Sequence, residues 1–368
     1  MYLKDLVDIQ MGQSPDSKFY NYDKIGLPFY QGKADFGRIN PTPKIWCSKS
    51  KKEAKPNDIL ISVRAPVGDL NINNEQSCIG RGLAAITCRP DVDMMYLYYY
   101  LKYLKPQLKH ISTGSTFESI NRTQLENLII NYKPYLEQIK ISNILQVVER
   151  QIEVKENLLR LYDLLVKSRF IELFGDVVRN TLNWPLVKLS DIAEYRIGLT
   201  YKPEAVSNSG TAVLRSGNIQ NSQLYYDDIL YVNDKVDTKL LLKKHDILMC
   251  ARNGSKSLVG KVALIEDDIV NTTYGAFMMA ISSKYYVYLF EYFRSQAFRR
   301  HISVGSTTTI NQVTTRMLNS IVIPLPDIDT VNRFNLYHSK INKLKFDVQK
   351  SIDETQLLMD SLMQEYFG

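Results

Sequence analysis

Between positions 136 and 174 the apolar residues recur at alternating steps of three and four. Leu145, Val148, Ile152, Leu159, Tyr162 and Val166 form the stripe, and Lys155 fills one of its positions. That spacing lines one face of a helix and suits a helix–helix seam. It predicts a helix over Leu136–Phe174, about 55 Å long at the usual rise per residue. Val331–Phe367 carries the same rhythm in Ile341, Leu344, Val348, Thr355, Leu358 and Leu362, with Ser351 in a gap. The first stretch ends in FIELFG and the second in LMQEYFG. The pattern predicts two globular units, each trailed by a long helix, with the helices as a common spine.

Other segments pair off in the same order. Leu3–Ile9 matches Leu189–Tyr195, and each is followed by a glycine, Gly12 and Gly198. KPNDILISVRAPVG at 55–68 matches KKHDILMCARNGSK at 243–256. YLKPQLKHISTGSTFESIN at 103–121 matches FRSQAFRRHISVGSTTTIN at 293–311, and NLIINYKP at 127–134 matches SIVIPLP at 320–326. Matches in one order across most of the chain imply a duplication.

Within a copy, the apolar runs after Asp58 and Asp246 read as buried strands, as do Leu83–Cys88 and Ala276–Ile281. Met94–His110 and Val287–His301 read as helices that turn basic near their ends, which also suits the helix dipole. The stretches Gly12–Lys55 and Gly198–Lys243 are dense in turn signals and read as variable loops. The first copy lacks a counterpart of NWPLVK at 183–188.

Composition narrows the class. With 368 residues and 45% hydrophobic content, the chain suits two or three folded domains rather than a disordered one. A net charge of +7, from 46 basic and 39 acidic residues, weakly favours an acidic partner such as nucleic acid. Cys47, Cys78, Cys88 and Cys250 form no CxxC, and no zinc-finger spacing occurs. They read as reduced thiols. The N-terminal residues Lys4, Asp5 and Asp8 break any signal-peptide core, and no run of about 20 apolar residues occurs. The expectation is a cytoplasmic protein with no membrane partner.

Catalytic signatures are incomplete wherever they begin. GRGLAA at 80–85 has dinucleotide-turn spacing but runs into a strand-like segment instead of a helix. NGSKS at 253–257 lacks the order of a phosphate-binding loop. No amino-methyltransferase motif and no nucleophile elbow occur. Metal ligands are expected to be none, and so are catalytic residues.

Polar and basic residues repeat in loops instead. In the first copy these are Gln31, Lys33, Arg38, Arg64, Arg81, Ser115 and Thr116. In the second they are Arg215, Asn218, Arg252, Asn253, Lys256, Ser306 and Thr307. Arg and Lys suit guanine and phosphate, Asn and Gln suit adenine edges, and Gly-Ser loops suit phosphate oxygens. Two plainer readings stay open: the Gly-Ser-Thr segments turn the chain out of a helix, and Arg64 and Arg252 form buried ion pairs. Two similar readers on a spine would bind two separated half-sites on one duplex.

These segments carry a family resemblance. NDILISVRAPVGDLNI and CIGRGLAAI in the first copy, HDILMCARNGSKSLVGKVALI in the second, the two GST loops, LFGD and the paired long helices together resemble the specificity (S) subunit of type I restriction-modification systems. The resemblance covers nearly the whole chain. It implies an α+β fold with two similar α/β target-recognition domains in tandem, at 1–133 and 177–326. Conserved long helices at 134–176 and 327–368 would pack antiparallel as a coiled-coil spacer. It implies a non-catalytic subunit that reads a bipartite double-stranded DNA site. Two modification subunits would use S-adenosylmethionine, and restriction or translocase subunits would join. This chain would itself hold no cofactor. Leu158, Leu161 and Leu165 lie off the first seam and are expected to meet partner subunits. A methylation-only or type IIB-like system would look the same in this chain. A coiled-coil scaffold without DNA readout would explain the helices but not the basic loops.

Overall fold

The computed structural model describes residues 1–112, 118–304 and 311–368. The chain divides into two compact units. One takes Met1–Asn157 with Gln349–Gly368, and the other takes Leu158–Val348. Each unit mixes helix and sheet, and each includes part of both long helices.

The first unit is built on a four-stranded antiparallel sheet, in the order Val7–Met11, Leu83–Cys88, Ile59–Ser62, Leu70–Ile72. The second repeats it as Glu194–Ile197, Met278–Ser282, Ile247–Cys250, Val262–Leu264. The repeated Asp before each central strand fixes the turn into it. Asp58 accepts from the Lys55 N–H at 2.7 Å, and Asp246 from the Lys243 N–H at 2.8 Å. The residues just ahead, Asn57 and His245, have φ of 69° and 72°. The missing counterpart of NWPLVK is met by the first residues of the chain. Tyr2 pairs with Ile129, much as Leu186–Lys188 pairs with Val322–Pro324.

The segments expected to be loops carry all but one strand of a second sheet in each unit. In the first, the order is Tyr20–Asn21, Ile45–Cys47, Leu27–Tyr30, Ser77–Ile79, Glu53–Ala54. In the second it is Val206–Ser207, Leu230–Val232, Thr211–Leu214, Thr272–Tyr274. Each of these sheets contains one parallel pair: 27–30 with 77–79, and 211–214 with 272–274. Strands this short are set by distant pairing more than by their own pattern.

Each expected basic-ended helix is broken in two. Met94–Tyr103 is followed by Lys105–Ile111, which has Pro106 in its first turn. Tyr286–Arg294 stops at Ser295, whose extended backbone separates it from Gln296–Val304. A proline fits a first helical turn, not an interior.

The long helices span Tyr135–Phe174 and Ile328–Phe367, each 40 residues. Both run about 60 Å. The first ends at Gly175, with φ of 70° and its N–H on the Ile171 carbonyl at 2.8 Å, a left-handed stop that glycine suits. The second starts at Asp327, which accepts from the Thr330 N–H at 2.8 Å.

Along the first helix Leu145, Val148 and Val166 are buried and Ile152, Leu159 and Tyr162 half-buried. On the second, Ile341 is buried and Val348 and Leu362 are half-buried, but Leu344 and Leu358 are exposed. The inward stripe there runs Val331, Phe334, His338, Ile341, Lys345, Val348, Ile352, Thr355, Met359, with Lys345, Val348 and Ile352 half-buried. Two of the six expected positions, Leu344 and Leu358, are therefore one residue out of phase, and Lys345 and Met359 take the inward places beside them. In the first unit Lys155 Nζ donates to the Ser351 carbonyl at 3.1 Å and to Thr355 Oγ1 at 2.6 Å. In the second, Lys345 Nζ meets Asp163 at 2.7 Å.

The helices complete both cores. Phe367 packs on Tyr96, Tyr100 and Tyr103 in the first unit. Phe170, Phe174, Tyr288 and Phe334 cluster in the second.

Candidate nucleic-acid interface

In the second unit, one end of the antiparallel sheet opens into a cleft of about 820 Å³. Its lining includes Tyr201, Arg215, Arg252, Asn253, Phe277 and Asn311. The turns that shape it depend on Gly198. A Cβ there would collide with the carbonyl oxygens of Gly275 and Tyr274. The same collision, with the Gly80 carbonyl, explains Gly12 in the first copy.

Arg252 is exposed, not buried in an ion pair. Its backbone N–H donates to the Phe277 carbonyl at 3.0 Å, and its guanidinium lies 5.4 Å from the Phe277 ring centre. Phe277 is itself 60% exposed, so the pair presents a planar cation on an open aromatic face. Asn253 is held by its own amide, which donates to Ser216 Oγ at 3.1 Å. Arg215 is tied to Asp228 at 2.8 Å. Lys256 is exposed and lines a neighbouring cleft with Asn311 and Gln312.

The first unit brings Gln31, Arg64 and Arg81 to the equivalent turns. The Gly80 N–H donates to the Tyr30 carbonyl, as the Gly275 N–H does to Leu214. The Val63 N–H donates to the Gly82 carbonyl, as the Ala251 N–H does to Phe277. Gln31, Arg64 and Arg81 are all exposed, and the Arg81 N–H donates to Ser14 Oγ at 3.3 Å.

Three of the expected base or phosphate readers are engaged elsewhere. Asn218 is buried, with its side chain accepting from the Arg215 N–H and donating to the Tyr225 and Asp228 carbonyls, so it shapes the loop. Arg38 turns to the central long helix and pairs with Glu153 at 3.0 Å. Lys33 pairs with Asp69 at 2.9 Å, and Lys105 with the same carboxylate at 2.6 Å. Burial alone would raise the Asp69 pKa, but the hydrogen bonds and charges of Lys105 and Lys33 outweigh it and hold the carboxyl below its usual range. Ser115, Thr116, Ser306 and Thr307 lie outside the described residues.

Tyr201, Phe277 and Asn311 also line the cleft and Ser14 braces the Arg81 turn, and none of the four stands out in the sequence patterns. Phe277 falls inside the strand expected over Ala276–Ile281, whereas the strand begins at Met278. Among the described residues, no group of three or more His, Cys, Asp or Glu is placed to hold a metal. No helix there is long and apolar enough to cross a membrane.

The duplicated framework has a counterpart in known proteins. The profile of the type I restriction modification DNA specificity domain matches residues 1–160 and again 182–359. The chain belongs to this family. A putative type I restriction enzyme MjaX specificity subunit of Methanocaldococcus jannaschii is 45% identical over 148 residues, 40% of this chain and 35% of that protein. The MjaVIII specificity subunit of the same organism is 24% identical over 262 residues, 65% of this chain and 61% of that one. The chain thus spans between about a third and three fifths of the length of these curated relatives. The solved structure of a type I restriction-modification system S subunit from M. genitalium covers 100% of this chain and 95% of that chain. It does so at a TM-score of 0.60 and 16% identity, a likeness of fold.

On the outer faces of the central helix, Leu161 and Leu165 are 56% and 47% exposed, and Leu158 is half-buried. An exposed leucine on a helix is ordinary taken singly. Val154 and Leu164, at 59% and 57%, add to the apolar surface of the same helix.

Proposed function

We propose that this chain is the non-catalytic DNA-specificity subunit of a type I restriction-modification assembly, and that each unit reads one half of a split site in double-stranded DNA. The observation that carries this reading is the pair of equivalent turn clusters, built on the same glycine-dependent framework and lined by different side chains. Gln31, Arg64 and Arg81 serve the first half-site. Arg252, Asn253 and Lys256, with Arg215 beside them, serve the second. Arginine offers paired donors to guanine, and an amide offers a donor and an acceptor to adenine.

The long helices act as an antiparallel spacer that sets the gap. The contacts inside each unit support this: Lys155 meets residues 351 and 355, while Asp163 meets residue 345, so positions rise on one helix as they fall on the other. Leu158, Leu161 and Leu165 then dock two modification subunits that bring S-adenosylmethionine, and restriction subunits join in the cytoplasm. Catalysis belongs to those partners.

The test is selection from a pool of random duplexes by the full chain, prepared with the subunits that accompany it. The reading expects enriched sequences in two conserved blocks at a fixed gap. A single continuous block, or no enrichment, contradicts it.

A further inference from the structure

The second sheet of the first unit carries a charged end that the reading turns of that unit do not use. Tyr20 and Leu27 both pair with Cys47, so Lys18 and Lys49 lie at one end of this sheet and Gln31 at the other. Lys18 Nζ and Lys49 Nζ sit over the Phe19 ring, 5.1 and 5.7 Å from its centre. Lys24 Nζ sits 5.8 Å from the centre of the Trp46 ring. All three lysines are exposed, and Phe19 and Trp46 are half-buried beneath them. An aromatic ring steers an ammonium group without neutralising it, so the charge stays available to an outside anion.

The second unit has no such excess. Residues 13–57 hold nine Lys and Arg against four Asp and Glu, whereas the matching residues 199–245 hold six against five. These stretches run between the same landmarks, from the residue after Gly12 or Gly198 to the left-handed turn residue Asn57 or His245.

We infer that Lys18, Lys24 and Lys49 form a phosphate-backbone anchor for DNA flanking the first half-site, and that the second unit lacks an equivalent. The inference rests on the DNA-reading function proposed above. The strand Leu27–Tyr30 separates the anchor from the reading turns by roughly 10–13 Å. That is about three to four nucleotides along one strand. The anchor therefore touches backbone outside the bases read at Gln31, Arg64 and Arg81. It adds affinity that depends on salt and not on sequence. Binding is shared unevenly: the first unit holds the duplex, and the second, with Arg252 on Phe277, contributes mostly discrimination.

The experiment compares the full chain, prepared with its accompanying subunits, with its Lys18→Gln/Lys24→Gln/Lys49→Gln variant on a random-sequence duplex. Affinity is measured across a salt series. Removing one lysine–phosphate pair lowers the slope of log affinity against log salt by about 0.9. Removing all three lowers it by about 2.7, so the fall in affinity between 50 and 200 mM salt shrinks about 40-fold. Lys235→Gln/Lys239→Gln/Lys244→Gln in the second unit is expected to change the slope by less than about 0.9. Equal melting temperatures show that all three proteins are folded.

An unchanged slope in the first variant, an equal drop in the second, or a parent chain that binds no duplex overturns the inference. Loss of a co-purifying subunit with an unchanged slope assigns the charged end to a protein partner, and overturns it too. A parent chain that enriches no split sequence, yet shows a shallower slope without these lysines, removes the reading function and leaves the anchor standing.

Discussion

Phe367 tests how the C-terminal long helix is bound into the first unit. The ring is 4% exposed and meets Tyr96, Tyr100 and Tyr103 at centroid distances of 5.4, 5.0 and 6.0 Å. Phe367→Ala removes a buried ring from a site where the tyrosines are held by their own bonds. Tyr96 donates to the Asn131 carbonyl at 2.7 Å, and Tyr103 to Gln364 at 3.0 Å. The cavity cannot collapse freely, so the cost is about 3–5 kcal/mol. For a unit of this size that lowers the melting temperature by about 6–20 °C. Leu357→Ala, at a position 69% exposed on the same helix, is expected to stay within about 0.5 kcal/mol. Urea unfolding gives the magnitude, and hydrogen exchange gives the place. Protection should fall in the helix Met94–Tyr103 and over 349–368, while the strands Ile247–Cys250 and Met278–Ser282 keep theirs. A cost below about 1 kcal/mol, well under the cavity range, or one confined to the second unit, would refute the assignment of this helix end to the first core.

Three further outcomes are expected. Gly198→Ala forces a methyl group onto two backbone carbonyls and costs about 1–3 kcal/mol by urea unfolding, whereas Gly217→Ala, with open space around it, is near neutral. His245 stacks on Tyr286 at 4.1 Å, and burial, with Lys244 adding to it, lowers its pKa below the ordinary 6.5. The unfolded chain then binds the extra proton first, so this group's contribution is complete above about pH 6.5 and is lost as pH falls through the folded pKa. His245→Asn, which Asn57 shows to suit the same turn, should flatten the pH dependence of the urea midpoint on either side of that value. Arg252→Lys keeps the charge but removes the planar donor pair. It should relax preference at one position of the second half-site by about 1–3 kcal/mol, read by base-substituted duplexes, with random-duplex affinity unchanged.

The parts of the fold visible in the sequence are those with a long period or a faithful copy. The helix at Tyr135–Phe174 shows itself through six inward positions in register, and the central strands through two similar DIL runs. The C-terminal stripe is harder to read because two phases share Ile341, Val348, Thr355 and Leu362. Leu344 and Leu358 favour the wrong phase, and the correct one runs through His338 and Lys345. Lys345 tolerates an inward position because its amine reaches Asp163 while its stem lies against the helix. The outer strands, two to four residues long, carry no usable period, and their partners lie tens of residues away. The candidate site was legible as a set of loops, not as a set of roles. Arg38 and Asn218 look like base readers until Glu153 and the Asp228 carbonyl, outside their own turns, are seen to engage them. Phe277 looks like core until the strand is seen to start one residue later.

The central claim is that this chain selects a two-part DNA sequence for its partners. Base-resolved adenine methylation across the genome that carries it, with and without the gene, tests this most directly. One split motif with a constant gap, and no other, is expected to disappear. A methylated split motif that persists unchanged when the gene is deleted, with every other motif also retained, would contradict it.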